Sequence, residues 1–268
     1  MLKKLFPFSL LGFLFNSCSL EGFKNGYYIE SDTVMYYSGF PAHKYLVQGA
    51  DASTFETINK DYGKDETHVF YREYIVKNAD PATFKVLEGF YSKDKSYGFA
   101  IGSNGPDAVV IISHEPDFFE TVPNPEETPM NHTAEGTIYA RDRQHVYDGK
   151  YIVALADPAT FEYIPMRSGS GYNLAWDKKY VYWRDKPLEG ADGGTFEKIA
   201  NDYFKDAKAI WSTKIDNRGN SSWVILADAD MATFKIVDED RGIAKDKNFH
   251  YSNGAAYIPK PPQQAANP

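Results

Sequence analysis

The chain has 268 residues, of which 43% are hydrophobic and 25% are charged, a balance typical of folded globular proteins and not of disordered ones. Its formal net charge of −8 at pH 7 provides no electrostatic attraction for nucleic acid, so we expect no nucleic-acid partner. One Cys rules out an internal disulfide, and the 16% aromatic content, with 20 Tyr and 18 Phe, favours β-strands.

The first segment, residues 1–17, is predicted to be a lipoprotein-type signal peptide. Lys3 and Lys4 give it a positively charged start, and an apolar stretch follows from Leu5 to Phe15. That stretch is too short to cross a bilayer comfortably, because a transmembrane helix needs roughly twenty apolar residues. No later segment of the sequence is apolar over a sufficient length.

Cys18 ends the segment Phe15-Asn16-Ser17-Cys18. This segment resembles the lipobox of bacterial lipoproteins, although Phe15 and Asn16 stand where that family usually has Leu and a small residue. The resemblance implies acylation of Cys18, which becomes the first mature residue and attaches the chain to a membrane, with residues 18–25 as anchor and linker. It places the protein in the bacterial cell envelope, at the outer membrane or cell surface rather than the inner membrane. The alternative is an ordinary signal peptide with an incidental Cys.

The rest of the chain is a tandem repeat that contains two signatures. The first is Ala-Asp-x-x-Thr-Phe, with a degraded copy at His114–Phe119. Its spacing, mostly in the thirties, is typical of repeat architectures. Its Thr-Phe pairs are Thr54 and Phe55, Thr83 and Phe84, Thr160 and Phe161, Thr195 and Phe196, and Thr233 and Phe234.

The second signature is close to Lys-Asp-x-x-x-Val-Tyr. We predict that its Asp accepts hydrogen bonds from backbone amides further along the chain and so stabilises a turn. The first copy, at Ser31-Asp32, is one residue short. The recurrent turn Asp residues are Asp32, Asp65, Asp94, Asp142, Asp177, Asp206 and Asp246.

Each unit is predicted to be a meander of three or four short antiparallel strands. The hairpin turn is predicted at Arg72-Glu73 in the first full unit, and at Asp148-Gly149 and Asn253-Gly254 in later ones. No helical periodicity persists anywhere. In the first full unit the predicted strands are Thr54–Ile58, Tyr62–Lys64, His68–Tyr71 and Tyr74–Val76.

These signatures resemble the DKNYP family of secreted bacterial repeat proteins, from about Gly26 to Tyr257. Asp246-Lys247-Asn248-Phe249 and Asp177-Lys178-Lys179-Tyr180 come closest to the motif that names the family. The molecular role of that family is not established, so the resemblance implies an architecture and little about function. The second and third units depart from the pattern, notably at Gly98 and His114, and are expected to be distorted.

The predicted fold is therefore all-β, with about six and a half repeats in a domain covering residues 26–258. Neighbouring units must stack, because one meander of this size cannot bury its apolar face. We expect an open, curved array of hairpins, with a β-propeller as the alternative. Residues 123–133 are predicted to form a surface loop, and the Pro- and Gln-rich residues 259–268 a disordered tail.

No pattern predicts a catalytic, cofactor-binding or metal-binding residue. His68 and His145 share one repeat position, just before a strand, which favours a surface role. The recurrent Asp residues could form a ladder that binds Ca²⁺, but turn capping is the favoured interpretation. Ser168-Gly-Ser170-Gly171 resembles only part of a nucleophile elbow and is read as a turn. The aromatic strands Val181-Tyr-Trp183 and Ile210-Trp211 could stack on sugars, although cross-strand packing is favoured.

Three functions remain open. The leading hypothesis is a non-catalytic envelope lipoprotein whose repeat surface binds or scaffolds an envelope protein or a glycan. The second is an envelope enzyme acting on glycans, with carboxylates drawn from different repeats. The third is a purely structural surface component.

Overall fold

The computed structural model describes residues 23–123, 139–164, 174–200 and 202–258. The predicted signal peptide, Cys18, the tail 259–268 and almost all of the 123–133 insertion lie outside these ranges, as does Ser168–Gly171. The described residues form 27 β-strands in seven separate antiparallel sheets. Within the same ranges, no helix has the length and apolar character needed to cross a membrane.

The chain divides into two compact units, Met1–Ala82 and Thr83–Pro268. The first unit contains a three-stranded sheet, sheet 1, and a four-stranded sheet, sheet 2. Sheet 1 consists of β1 (Asn25–Glu30), β2 (Thr33–Ser38) and β3 (Lys44–Leu46). Sheet 2 consists of β4 (Glu56–Thr57), β5 (Tyr62–Lys64), β6 (Val69–Tyr71) and β7 (Tyr74–Ile75).

The second unit contains five four-stranded sheets, numbered 3 to 7 in chain order. Sheet 3 is β8 (Lys85–Val86), β9 (Tyr91–Lys93), β10 (Gly98–Ile101) and β11 (Val109–Ser113). Sheet 4 is β12 (Glu120–Thr121), β13 (Tyr139–Arg141), β14 (Val146–Asp148) and β15 (Tyr151–Ile152). Sheet 5 is β16 (Glu162–Tyr163), β17 (Leu174–Trp176), β18 (Val181–Trp183) and β19 (Lys186–Pro187). Sheet 6 is β20 (Glu197–Ala200), β21 (Tyr203–Lys205), β22 (Ile210–Ile215) and β23 (Ser221–Ile225). Sheet 7 is β24 (Lys235–Asp238), β25 (Ile243–Lys245), β26 (His250–Ser252) and β27 (Ala255–Tyr257).

Every sheet is a meander, because each strand pairs with the next strand in the sequence. The prediction of an all-β chain built from tandem antiparallel meanders is confirmed. The second and third strands of each four-stranded sheet supply most of the buried side chains, such as Tyr62, Phe70 and Tyr71 in sheet 2. The outer strands are short, often two residues, which leaves little exposed edge for pairing with another chain.

The strand predicted at Thr54–Ile58 is much shorter in the structure. Only Glu56 and Thr57 pair with β5, and Thr54 closes a turn by donating its amide hydrogen to Asp51 O (3.2 Å). Phe55 therefore lies outside the paired strand, and its side chain points towards the middle of sheet 2. A Cβ added to Gly63, in the middle of β5, would lie 3.0 Å from Phe55 Cε1, so the ring lies directly over that glycine.

Two other local predictions are refined by the strand register. Asp148 pairs with both Tyr139 and Tyr151, so the hairpin turn is centred on Gly149 and Lys150, one residue later than predicted. In sheet 3 the register shifts between Gly98 and Phe99. This is a β-bulge whose extra residue, Ile112, lies on β11 opposite Gly98 and Phe99.

Small cores lie between consecutive sheets within each unit, and the Thr-Phe phenylalanines are central to them. Phe161 is fully buried, with its ring centroid 5.0 Å from that of Tyr139 in sheet 4 and 5.4 Å from that of Tyr182 in sheet 5. The Phe161 ring therefore joins sheet 5 to the preceding sheet 4. The equivalent contacts are Phe55 with Tyr27 and Phe70, Phe119 with Tyr91 and Tyr147, and Phe234 with Tyr203 and Tyr251.

Candidate functional site

The recurrent Asp lies in the turn between the second and third strands and holds that turn with one oxygen. In sheet 5, Asp177 Oδ1 accepts hydrogen bonds from the backbone amides of Lys179 (2.8 Å) and Tyr180 (2.7 Å). This is the geometry of an Asx-turn, which a short acidic side chain forms without help from distant residues. The same pair of bonds, to the amides two and three residues on, is made by Asp65, Asp94, Asp142, Asp206 and Asp246.

The second oxygen of the same carboxylate reaches the Ala-Asp connector that precedes the sheet. Asp177 Oδ2 accepts the backbone amide hydrogen of Asp157 at 3.0 Å. Because one carboxylate bonds to two segments about twenty residues apart, it fixes the connector against the turn. The corresponding bonds run from Asp51 N to Asp65, from Asp192 N to Asp206 and from Asp230 N to Asp246.

In sheet 4 the link between the turn Asp and the preceding connector passes through an additional residue. Its connector is the degraded copy at His114–Phe119, and there Glu115 N donates to Ser113 Oγ (3.1 Å). Ser113 Oγ in turn donates to Asp142 Oδ2 at 2.6 Å, and this contact is buried. A serine hydroxyl thus takes the place of the direct amide contact.

The aromatic residue of the second signature donates to the same carboxylate. Tyr182 Oη lies 2.6 Å from Asp177 Oδ2, and Tyr147 and Tyr251 make the equivalent bonds to Asp142 and Asp246. In sheet 6 the donor is Trp211 Nε1, 3.0 Å from Asp206 Oδ2. These contacts explain the five-residue spacing between the Asp and the aromatic residue of the signature.

The basic residue that precedes the recurrent Asp bonds to the connector on the other side of the sheet. Lys93 Nζ donates to the carbonyl oxygens of Pro116 and Phe119, both at 2.9 Å. Lys64 Nζ donates to Pro81 O, and Arg141 Nη1 donates to Pro158 O. In one signature, the basic residue therefore bonds to the connector that follows the sheet, and the adjacent Asp bonds to the connector that precedes it.

The threonine and aspartate of the connector complete the junction. Thr160 Oγ1 accepts the amide hydrogen of Lys178 at 3.3 Å, and Asp157 Oδ2 lies 2.6 Å from Lys178 Nζ. Thr83, Thr195 and Thr233 accept the amide hydrogens of Lys95, Ala207 and Lys247 in the same way. Thr54 lies in the same connector turn of sheet 2, and all five Thr-Phe phenylalanines follow such turns.

These hydrogen bonds determine the ionisation of the recurrent Asp residues. Burial acts to raise the pKa of the Asp177 carboxyl, but hydrogen bonds from Tyr182 and from the amides of Tyr180, Asp157 and Lys179 outweigh it and lower the pKa. The same balance lowers the pKa of Asp65, Asp142 and Asp206. For Asp246, the opposing donors lower the pKa to about 2. The charged form is therefore the one that stabilises the fold.

Asp32 does not take part in this arrangement. It is exposed, with φ of 61°, and forms the two-residue turn Ser31-Asp32 between β1 and β2. Among the described residues, its carboxylate has no hydrogen-bond donor. The missing residue in this copy removes the loop over which an Asx-turn could form.

Most of the strand residues considered for sugar stacking are buried. Val181, Tyr182, Ile210 and Trp211 belong to the core, whereas Trp183, at the end of β18, is partly exposed. His68 and His145 are 42% exposed, each with Nδ1 3.9 Å from the turn Asp. In the described part of the chain, no group of three or more His, Cys, Asp or Glu side chains is arranged to hold a metal ion.

One titratable residue stands apart from the repeat pattern and was not predicted. Asp148 ends β14, where β6 and β18 end in the aromatic residues Tyr71 and Trp183. Burial and the nearby charge of Asp185 raise its pKa to about 6, with the guanidinium of Arg184 opposing them. The sequence signal was an acid at a position that holds Tyr71 or Trp183 in two other sheets and a small residue, Ala100, Ser212 or Ser252, in the remaining four-stranded sheets.

A hydrogen bond between neighbouring sheets brings these charges together. Tyr139 Oη donates to Arg184 O at 3.0 Å, and Tyr139 is the direct strand partner of Asp148. The Arg184-Asp185 turn of sheet 5 is thereby held beside β14 of sheet 4. Similar bonds join Tyr91 Oη to Tyr147 O in sheet 4, and Tyr203 Oη to Gly242 O in sheet 7.

Comparison with known proteins agrees with this architecture. Searches of curated proteins and of solved structures returned no match to the chain. The model of the DKNYY family matches residues 28–215, which is more than half of the chain. The Asp-Lys-Asn-Tyr type of turn is the signature described above, and in the structure the same repeat continues to Tyr257 in sheet 7. The chain is a member of the DKNYY family of repeat proteins.

Proposed function

We propose that this protein is a non-catalytic, lipid-anchored component of the bacterial cell envelope whose repeat surface binds or scaffolds a protein or glycan partner. The signature side chains support this proposal because they bond to turns and connectors within the repeat. Surface residues outside the signatures therefore remain available to contact a partner. The Cys18 segment, with its resemblance to a lipobox, supports the location.

The observation that carries the proposal is that the fourth, outer strand carries exposed apolar residues in four of the six four-stranded meanders. Tyr151 and Ile152 make up β15 and are 59% and 54% exposed. Ile75 in β7, Ile225 in β23 and Tyr257 in β27 are also exposed, each within its own sheet. Adjacent exposed apolar residues, such as Tyr151 and Ile152, form the kind of contiguous apolar surface that marks binding sites.

A cross-linked pull-down from native envelopes tests this proposal. We expect a specific partner to co-purify with the wild-type chain and to be lost from the variant Tyr151→Ser/Ile152→Ser. Val237→Ser is the matched control, since Val237 is 50% exposed but lies on a first strand, β24. Equal recovery from all three chains would contradict the proposed surface. Absence of any protein or glycan partner would favour a purely structural surface component.

The location is tested separately with Cys18→Ser. We expect the wild-type chain to carry acyl groups on Cys18 by mass spectrometry and to sediment with membranes. The Cys18→Ser chain should be released. If that variant stays bound to membranes as firmly as the wild type, the lipoprotein assignment is wrong.

An envelope enzyme acting on glycans is the second candidate, and the environment of Asp148 favours it. Asp148 and Asp185 come from different repeats, and a carboxyl with a pKa of about 6 is suited to donate a proton near neutral pH. Release of reducing ends from purified cell-wall polysaccharide, abolished by Asp148→Asn, would support this candidate. Lack of turnover by the wild-type chain across pH 4 to 8, a range chosen to bracket that pKa, would contradict it.

A further inference from the structure

Sheet 1 exposes an unusual concentration of apolar side chains close to the proposed anchor. Among the described residues, nineteen large hydrophobic side chains are exposed, and six of them lie between residues 23 and 46. Four form what we call the N-terminal patch, Phe23, Tyr28, Phe40 and Leu46, with exposures of 67%, 38%, 76% and 54%. Patches of this kind usually mark a contact surface.

The most exposed part of the patch is a pair of stacked rings at one end of the sheet. The centroids of Phe23 and Phe40 are 5.1 Å apart, with an angle of 19° between the ring planes. Phe23 lies just before β1, and Phe40 follows β2, so both rings lie at the end where Asn25 pairs with Ser38. The opposite end of the same hairpin is the polar turn Ser31-Asp32.

Two lysines in or next to sheet 1 lie over its tyrosine rings: Lys24 over Tyr28 and Tyr37, and Lys44 over Tyr37. Lys24 Nζ and Lys44 Nζ are 2.8 Å and 2.6 Å from the two carboxylate oxygens of Glu30. The local charge of these three residues is therefore slightly positive, although the whole chain is acidic. Aromatic rings beside lysines are the usual composition of a protein surface at a lipid–water interface.

The length of the chain limits how far this end of the sheet can be from an anchor at Cys18. Phe23 lies five positions after Cys18, and a fully extended chain spans at most about 3.5 Å per residue, or about 18 Å over that distance. We propose that the Phe23–Phe40 end of sheet 1 inserts into the headgroup region of the bilayer that holds the acyl chains. This inference rests on the proposed lipid anchor and adds a second, protein-based contact with the lipid.

Depth-dependent quenching tests the orientation directly. The acylated chain is placed in phosphatidylcholine–phosphatidylglycerol vesicles containing spin-labelled lipid, and a fluorophore is attached to Ser38→Cys or, as the control, to Asp32→Cys. Acylation consumes the natural thiol, so the label has one target. The two sites are separated by the length of β1, about 20 Å. We expect several-fold stronger quenching at position 38, and equal or reversed quenching would overturn the proposal.

A second measurement separates the patch from the acyl chains. In the Cys18→Ser background, Phe23→Ser/Phe40→Ser should lower partitioning onto the same vesicles on the order of tenfold or more, since a buried phenylalanine contributes about 1.5–3 kcal/mol. Ile58→Ser, which alters an exposed residue outside the patch, should have no effect. Unchanged partitioning, or a dimer in solution that depends on the two rings, would overturn the inference. Absence of acyl groups on Cys18 would instead refute the lipid anchor.

Discussion

The substitution Asp177→Asn removes the charge from one junction while keeping the size of the side chain. The Asp177 carboxylate is 2% exposed and accepts four hydrogen bonds, two at each oxygen. An asparagine can keep the two bonds of the Asx-turn, but its amide group cannot accept from Asp157 N or Tyr182 Oη. A hydrogen bond to a charged group contributes about 1.5–3 kcal/mol, so the loss of two predicts a decrease of roughly 3–6 kcal/mol in the free energy of unfolding.

Urea unfolding followed by tryptophan fluorescence measures this loss, because Trp176 and Trp183 lie in the same sheet as Asp177 and the other two tryptophans lie in the adjacent sheet 6. Asp117→Asn is the matched control, since Asp117 is exposed and its carboxylate accepts no hydrogen bond within the described residues. It should change the free energy of unfolding by less than about 0.5 kcal/mol. A loss below about 1 kcal/mol for Asp177→Asn would refute the role assigned to the second oxygen.

The pH dependence gives an independent check with a fixed sign. The pKa of Asp177 is lower in the folded state than in the unfolded chain, so its stabilising effect is complete above the unfolded pKa of about 3.9. That effect is lost as the pH falls through the folded pKa. The difference between wild type and Asp177→Asn should therefore be full at pH 7 and should shrink below about pH 4. A difference that does not change with pH would show that the charge is not responsible.

Three further predictions concern packing and a destabilising charge. Phe161→Ala should lower the free energy of unfolding by about 3–5 kcal/mol, because the fully buried ring joins sheets 4 and 5; loss of cooperativity in the urea transition would accompany it. Gly63→Ala should cost about 1–3 kcal/mol, measured by near-ultraviolet circular dichroism, because the new methyl group overlaps Phe55. Asp148→Asn should instead stabilise the chain at pH 7 by about 1–2 kcal/mol, allowing for the partial solvent exposure of the carboxyl. Since the folded pKa of Asp148 is raised to about 6, this gain should vanish as the pH falls from 7 towards 4, and a gain that persists at pH 4 would contradict it.

The local parts of the fold could be predicted because they depend on neighbouring residues. An Asx-turn needs one short acid and two following amides, so Asp65, Asp142 and their equivalents identify it directly. Alternating aromatic segments identify the second and third strands for the same reason. The signatures recur in successive units, so one local pattern predicted the same turn and the same strands in several places along the chain.

Some departures of single units from the repeat structure could also be anticipated, because the sequence of those units departs from the signatures. The signature copy that contains Asp32 is one residue short, and in the structure this copy forms a tight hairpin turn in place of the Asx-turn. Gly98 departs from the pattern, and a β-bulge lies opposite it on β11. The predicted strand at Thr54–Ile58 was too long, because alternation alone could not reveal that Phe55 leaves the strand to lie over Gly63.

The sequence by itself therefore determined the all-β class, the repeat, its turns and the order of its strands. Only the tertiary structure decided how the repeats are joined: the second oxygen of Asp177 meets an amide from the preceding connector, and Phe161 packs between two sheets. It also brought the Arg184-Asp185 turn beside Asp148, and stacked Phe23 on Phe40 at one end of sheet 1. The physical reason is distance along the chain. Bonds within a turn are encoded by adjacent residues, whereas contacts between segments 17 to 45 residues apart exist only after the strands have paired into sheets and the sheets have packed.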